Sequence, residues 1–152
     1  MKINIICVGK LKEKYLIEAQ DEYVKRLSRF CDVKITEVSD EKDDIPDAME
    51  KEGARILSKI QPKDYVICLA IEGMKFDSEA FSEKVISVFD LSNPVIDFVI
   101  GGSLGLSDSV KKRADMLLSF SDMTFPHRLM RVILLEQLFR AFKIANNESY
   151  HK

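Results

Sequence analysis

The sequence predicts an α/β fold in which a parallel sheet carries helices on both faces. Short apolar runs alternate along the chain with segments whose apolar residues recur at helical spacing. Strands that are separated by helices pair in parallel, and the helices then cover both sides of the sheet. No linker, repeat or low-complexity segment divides the 152 residues, a length that suits one domain. We therefore expect a single domain over residues 1–152.

Five strands are expected from short runs rich in Val, Ile and Leu. The run "INIICV" is apolar almost throughout, as in a strand that is buried on both faces. The run "VKITEV" alternates apolar and polar residues, which is typical of a strand with one exposed face. The predicted strands cover residues 3–8, 33–38, 65–71, 94–100 and 116–120.

Helices are expected between the strands, where capping residues and apolar spacing indicate them. Pro46 suits a first helical turn, because its missing N–H has no partner there in any case. Asp77 or Ser78 can cap one helix, and Ser107 or Asp108 can cap another. The four helices that precede the last one are predicted to run to about residue 29, from about 46 to 60, from 77 or 78 to about 89, and from 107 or 108.

Composition and charge exclude several classes of protein. Apolar residues make up 46% of the chain, but no apolar run approaches the roughly 20 residues that a membrane span needs. The first ten residues do not resemble a signal peptide, so we expect a cytoplasmic protein without a membrane partner. The three cysteines are scattered in apolar runs and are expected to be buried thiols. The net charge is −2, yet residues 111–152 hold eight basic and four acidic residues, so this quarter of the chain is locally basic.

Three loops are expected at the carboxyl ends of strands, where parallel sheets bind ligands. They are "IEGMK" after the third strand, "GGSLG" after the fourth and "SDMTFPH" after the fifth. A dinucleotide site fits poorly, because its Gly-x-Gly-x-x-Gly fingerprint follows the first strand, and a P-loop needs a lysine that this loop lacks. His127 and His151 have no metal-ligand spacing with any cysteine, so no metal is expected.

The carboxyl-terminal half carries a specific resemblance. The segments "FVIGGSLGLS" and "MTFPHRLMRVILLEQLFRAFKIANNESYHK" resemble the ribosomal large-subunit pseudouridine methyltransferase H family of the SPOUT methyltransferases. The resemblance covers essentially the whole chain, with one departure: Ser149 stands where that family has proline. It implies a homodimer with a carboxyl-terminal trefoil knot that binds S-adenosylmethionine and methylates N3 of a pseudouridine in the 23S rRNA of the ribosome.

The resemblance also implies which residues bind the cofactor, and the loops make chemical sense of them. An adenine ring needs apolar walls and backbone hydrogen-bond partners more than charge, and glycines let the backbone approach closely. For any one of the apolar residues, plain core packing remains the alternative. The implied cofactor residues are Leu69, Gly101, Phe120, Ser121, Asp122, Met123, Thr124 and Phe125.

Catalysis and RNA binding are expected from the last helix and the tail. His127 is a candidate base, because its ordinary pKa near 6.5 leaves it neutral at working pH, although it can equally cap the helix. Arg131 and Arg140 can hold phosphate or developing negative charge, but Glu136 and Arg140 can simply pair at i, i+4. The expected catalytic residues are His127, Arg131, Arg140 and Tyr150, and the expected RNA-binding residues are Arg128, Tyr150, His151 and Lys152.

The last helix and the tail that follows it suggest how the chain associates. Between Leu129 and Phe142 the apolar residues cover more than one stripe, so one face can pack on the sheet and another on a second subunit. The tail "NESYHK" has little apolar surface and is expected to act on RNA rather than to stabilise the fold. A nucleotide-binding oxidoreductase and a non-enzymatic dimeric RNA-binding module remain the alternative functions.

Overall fold

Strands and helices alternate along the chain, as the sequence predicts. The computed structural model describes residues 1–91 and 95–151. The strands are β1 Lys2–Val8, β2 Asp32–Val38, β3 Tyr65–Lys75, β4 Val95–Ile100 and β5 Met116–Ser119. The helices are α1 Lys14–Leu27, α2 Ala48–Leu57, α3 Ser78–Asp90, α4 Asp108–Arg113 and α5 His127–Ala145. The predicted start of the fourth strand at residue 94 lies outside the described residues.

The five described strands form one parallel sheet in the order β2-β1-β4-β3-β5. The register places Cys7 of β1 opposite Glu37 of β2 on one side and Ile100 of β4 on the other. All carboxyl ends therefore lie along one edge of the sheet, with neighbouring strands about 4.8 Å apart. The expected parallel α/β architecture is confirmed, and the loops after β4, β3 and β5 are neighbours.

The third strand is longer than predicted. The sequence suggested an end at residue 71 and a free loop "IEGMK", but β3 continues to Lys75. Its pairing with β5 shifts register between Leu69 and Met74, which lets the strand resume opposite Leu118. Gly73 permits this close approach, since a Cβ there would lie 2.6 Å from the backbone of Leu117. The segment is thus an irregular part of the sheet, in which Met74 and Lys75 pair again with β5.

Two apolar clusters fill the space on the two faces of the sheet. One lies under α1, α3 and α5, with Phe98 of β4 and Phe142 of α5 both fully buried in it. The other lies under α2 and α4 and includes Ile56 and Val110. The predicted caps are found at two helices: Asp77 accepts a hydrogen bond from the amide of Ala80, and Ser107 caps α4. The three cysteines are buried, and burial raises the pKa of each thiol to about 12.

Helix α5 packs its strongest apolar face inside its own chain. Leu135 and Leu138 are fully buried in the cluster under α1, α3 and α5, so neither side chain is free to contact a second subunit. The apolar surface that this helix leaves open lies at its first turns, where Leu129 is 38% exposed and Val132 and Ile133 are half-buried. Full burial within one chain therefore accounts for most of the excess apolar residues of α5. Within the described residues, no helix is both long and apolar enough to cross a membrane.

Candidate active site

The sheet topology brings the expected cofactor residues to one edge. Leu69 lies near the end of the central part of β3, opposite Leu118 of β5. Gly101 follows the last residue of β4, and Phe120 follows the last residue of β5. Since β3 lies between β4 and β5, these three positions belong to adjacent strand ends. Residues that are far apart in sequence thus face one region, as ligand sites in parallel sheets require.

The loop after β5 is ordered by its own serines. Ser119 Oγ donates to the carbonyl of Ser121 (3.1 Å), and the amide of Met123 donates to Ser121 Oγ (3.0 Å). Asp122 forms an ion pair with Lys75 of β3. Among the expected cofactor residues here, Asp122, Met123 and Thr124 are exposed, whereas Phe120, Ser121 and Phe125 are partly buried. The loop therefore offers polar backbone and two aromatic rings at the same place.

A cavity of about 580 Å³ lies between this loop, the start of α3 and the middle of α5. Phe120 and Phe125 form part of its wall, and Ile133 and Gln137 of α5 face it from the other side. His151 of the tail also lines it, whereas Leu69 and Gly101 do not. Its volume and mixed lining suit a ligand of nucleoside size.

The loop "GGSLG", residues 101–105, is called the glycine loop below, and contacts within the loop itself determine its shape. The amide of Gly105 donates to the carbonyl of Gly102 (3.1 Å), and Gly105 has φ +87°, a left-handed conformation that favours glycine. A Cβ on Gly101 would lie 2.7 Å from the carbonyl carbon and oxygen of Gly105. The sequence suggested that Gly101 lacks a side chain so that a ligand can approach. That explanation is incomplete, because the backbone of Gly105 also lies too close for a side chain at this position.

A second cavity of about 670 Å³ lies beside the glycine loop and contains His127. Gly102 and Ser103 line one side, and the acidic segment Asp40–Asp44 lines the other together with Glu52. Ser103 Oγ donates to Asp43 Oδ1 (2.5 Å), and the buried Glu52 accepts from the amide of Glu41 (2.9 Å). From the sequence, only a helix from about residue 46 was predicted in this region. The eight acidic residues between Glu37 and Glu52 were the signal for a charged border of the site.

His127 is the first residue of α5 and is half-buried. Pro126 occupies the cap position, so the expected alternative, a histidine cap, is not what the helix uses. Burial lowers the pKa of His127, and the positive charges of Arg128 and Arg131 lower the pKa further. The imidazole is therefore neutral at pH 7 and able to accept a proton.

Arg131 lies one turn further along α5, with only 1% of its surface exposed. Its guanidinium donates to Glu37 Oε1 (2.6 Å) and to the carbonyl of Gly9 (3.2 Å), and a longer contact reaches Gln20 Oε1 (3.4 Å). Arg131 thus ties α5 to the carboxyl ends of β1 and β2. Arg128 donates to Glu13 Oε1 (2.7 Å) and ties the first turn of α5 to the start of α1.

Arg140 and the tail form a second polar group on α5. Arg140 Nη2 donates to Glu136 Oε1 (2.6 Å), the pairing at i, i+4 that the sequence allowed. Its guanidinium also lies 4.8 Å from the ring centre of Tyr150, and Arg140 Nη1 lies 3.3 Å from His151 Nδ1. The structure therefore brings together three of the expected functional residues, Arg140, Tyr150 and His151.

The tail was expected not to stabilise the fold, but Tyr150 packs against the core. Its ring packs on the cluster under α1, α3 and α5, and its hydroxyl donates to Glu136 Oε1 (3.2 Å). The tail has little apolar surface, as predicted, but this one ring fills a gap beside the helix. Lys152 lies outside the described residues. Within residues 1–91 and 95–151, no group of three or more His, Cys, Asp and Glu side chains is arranged to hold a metal ion.

Comparisons with known proteins identify the family. The family model described as "Predicted SPOUT methyltransferase" matches residues 1–151. "Ribosomal RNA large subunit methyltransferase H" of Streptococcus pyogenes serotype M5 (strain Manfredo) is 51% identical over 161 aligned residues, and that of serotype M12 (strain MGAS2096) is 50% identical. Both alignments cover 100% of this chain and 100% of the relative.

Solved structures at low identity show the same fold. A probable methylase family protein from Haemophilus influenzae Rd KW20 superposes with a TM-score of 0.59 at 15% identity, covering 99% of this chain and 70% of that one. A probable methyltransferase from Bordetella pertussis Tohama I gives a TM-score of 0.58 at 11% identity, covering 91% and 95%. By its matching family model and its full-length relatives, the chain belongs to the SPOUT methyltransferases, in the family of ribosomal RNA large subunit methyltransferase H.

Proposed function

We propose that this protein is an rRNA methyltransferase that transfers a methyl group from S-adenosylmethionine to N3 of a pseudouridine in 23S rRNA. The observation that carries the proposal is the 51% identity to ribosomal RNA large subunit methyltransferase H over the whole of both chains. A ribosomal substrate would place the enzyme in the cytoplasm.

The cofactor site of the proposal is the edge formed by Leu69, the glycine loop and residues 120–125. Half-buried aromatic rings at Phe120 and Phe125 fit an adenosine, and the serine-ordered backbone of residues 119–123 offers amides and carbonyls. We further propose that the chain forms a trefoil knot here. S-adenosylmethionine supplies an electrophilic methyl group, so the protein has only to orient the acceptor nitrogen and remove its proton.

His127 is the proposed base. Its neutral imidazole lies at the carboxyl edge of the sheet, in the cavity next to Gly102 and Ser103. A base that is neutral at pH 7 can accept the proton of the weakly acidic N3–H as the methyl group is transferred. The guanidinium of Arg131 is already paired with Glu37. We therefore give Arg131 a positioning role, in which it holds α5, and with it His127, in place.

The group formed by Arg140, Tyr150 and His151 is proposed to bind the target nucleotide for the His127 cavity of a second subunit. Burial raises the pKa of Tyr150 to about 12, so its phenol stays protonated and acts as a hydrogen-bond donor or stacking surface, not as a base. Of these three residues, His151 lines the cavity of about 580 Å³ together with Phe125, on the far side of α5 from the Arg131 contacts. We propose that two subunits pair through the open apolar surface at Leu129, Val132 and Ile133. Each would then supply groups to the other's site.

The test is methylation of ribosomes and isolated large subunits that lack the modification, followed by mass spectrometry of the nucleosides. We expect one N3-methylated pseudouridine per particle, and calorimetry should show binding of S-adenosylmethionine and none of NAD. Binding of NAD would support the oxidoreductase alternative. Ribosome binding with no methyl transfer at any pH would support the non-enzymatic module and contradict the proposal.

A further inference from the structure

The connection between β1 and α1 presents two lysines to solvent. This connection, residues 9–13, has the sequence "GKLKE" and is called the lysine loop below. Its side chains alternate: Lys10 and Lys12 are exposed, whereas Leu11 and Glu13 are partly buried. Such alternation means that one side of the loop faces the protein and the other carries only positive charge.

The backbone of the lysine loop is held at several points. The amide of Gly9 donates to the carbonyl of Val38 (2.8 Å), and the amide of Leu11 donates to Glu37 Oε1 (3.2 Å). Glu13 pairs with Arg128 of α5 (2.7 Å). A loop fixed by a strand and a helix loses little conformational entropy when its side chains bind a partner.

Among the described residues, neither the ammonium group of Lys10 nor that of Lys12 lies within 4.0 Å of a carboxylate oxygen. The neighbouring arginines differ, because Arg128 and Arg131 are paired with Glu13 and Glu37. The sequence singled out Arg128 for RNA, but its guanidinium is engaged in holding the loop. The exposed ammonium groups of Lys10 and Lys12 are thus open to a partner.

The lysine loop also lies next to the cavity that contains the proposed base, His127. It begins at the carboxyl end of β1, which pairs with β4 and so adjoins the glycine loop. Gly102 contacts this strand end, since a Cβ there would lie 3.1 Å from Val8 Cγ1. The lysine loop thus lies beside the cavity that holds His127. The acidic segment adjoins it, since a Cβ on Gly9 would lie 3.8 Å from the carboxyl group of Asp40.

We propose that Lys10 and Lys12 bind phosphates of the rRNA strand next to the target nucleotide. This inference rests on the proposed function, which supplies an RNA substrate. The carboxylates of the acidic segment repel phosphate. The RNA strand should therefore approach the cavity over the two lysines rather than over the acidic residues. Lysines of this kind add affinity and register without reading the base.

The experiment compares two double variants with equal loss of charge. Lys10→Gln/Lys12→Gln removes the loop's charge, and Lys59→Gln/Lys63→Gln removes two exposed lysines from the opposite edge, between α2 and β3. Binding of each protein to unmodified large subunits is measured from 50 to 300 mM KCl. Each lost phosphate contact should reduce the slope of log K against log [salt] by about 0.7–0.9, so the loop variant should lose about 1.4–1.8. Its Kd at 0.1 M salt should rise roughly 3- to 30-fold.

The control variant should keep the wild-type slope and Kd, and all three proteins should bind S-adenosylmethionine equally. An unchanged slope in the loop variant, or an equal loss in both variants, would overturn the inference. Methyl transfer is scored separately. Absence of transfer by the wild-type protein would contradict the proposed function, while the binding slopes would still decide whether the lysines contact RNA.

Discussion

The ring of Tyr150 stands edge-on against the ring of Phe139, with the ring centres 5.0 Å apart and an angle of 79° between the planes. This contact holds the tail against α5 and predicts separate effects for the ring and the hydroxyl. Tyr150→Ala should lower the free energy of unfolding by about 1–3 kcal/mol, because it removes the ring from a partly buried place. Tyr150→Phe should cost only about 0.5–1.5 kcal/mol, for the lost bond to Glu136. Urea denaturation measures both, and equal costs would contradict the packing role.

The ion pair between the buried Arg131 and the partly exposed Glu37 should be a major contributor to stability. Arg131→Ala should cost about 3–5 kcal/mol, because it breaks a buried ion pair and empties the space that the side chain fills. Glu37→Gln should cost less, since Glu37 is 32% exposed and an amide oxygen still accepts from Arg131. The control is Glu22→Gln, which breaks the exposed pair with Arg26 and should change stability by less than about 0.5 kcal/mol. Similar costs for Arg131→Ala and Glu22→Gln would refute this role.

Asp97 should make stability depend on pH. Its Oδ1 accepts from Asn4 (3.1 Å), whereas its buried Oδ2 and the buried Oδ1 of Asp64 have no donor among the described residues. Burial, followed by the charge of Asp64, raises the pKa of Asp97 to about 6 from its ordinary value of 3.8. The folded protein thus holds this proton more tightly than the unfolded chain. The stabilisation that comes from protonated Asp97 is complete below about pH 4 and is lost as the pH rises through about 6.

The variant Asp97→Asn isolates that effect, because its amide stays neutral and can donate to Asp64. Its unfolding free energy relative to wild type should rise between pH 4 and about 6 and then level, with a total change of about 1–3 kcal/mol. Urea denaturation of both proteins from pH 4 to 8 gives the difference, in which contributions from other groups cancel. A difference that is constant over this range would rule out a raised pKa for Asp97 in the folded protein.

The glycine loop should tolerate alanine at Gly105 better than at Gly101. Gly101→Ala forces the carbonyl of Gly105 to move, so we expect at least about tenfold weaker binding of S-adenosylmethionine and a loss of about 1–3 kcal/mol of stability. Gly105→Ala meets nothing within 4 Å and pays only for its positive φ, about 1–2 kcal/mol. Calorimetry and urea denaturation test both. Unchanged affinity in a folded Gly101→Ala protein would remove this loop from the cofactor site.

The association of subunits should depend on the first turns of α5. Leu129→Glu places a charge on the open apolar surface and should yield folded monomers, whereas Leu135→Glu buries a charge in the core and should prevent folding. Sedimentation and circular dichroism distinguish the two results. A Leu129→Glu protein that remains a dimer, or a wild-type protein that is monomeric at micromolar concentration, would contradict the proposed interface.

The sequence by itself determined the elements and their class. Apolar runs and helical spacing predicted every strand and helix to within a few residues, because side-chain periodicity is a local property of each element. The caps at Asp77 and Ser107 were equally local, since a capping side chain bonds to an amide three residues away. The family was also readable, because its motifs are contiguous stretches such as the glycine loop and the start of α5.

Only the tertiary structure decided which side chains and strands contact one another. The extension of β3 to Lys75 depends on pairing with β5, which lies more than 40 residues away in the chain. The burial of Arg131 by Glu37, and the docking of Tyr150 on Phe139, likewise join segments about 90 and 11 residues apart. Charge and ring type alone do not tell whether a side chain has found such a partner. That is why the arginines of α5 looked free in sequence, although Arg128, Arg131 and Arg140 each have a carboxylate partner in the fold.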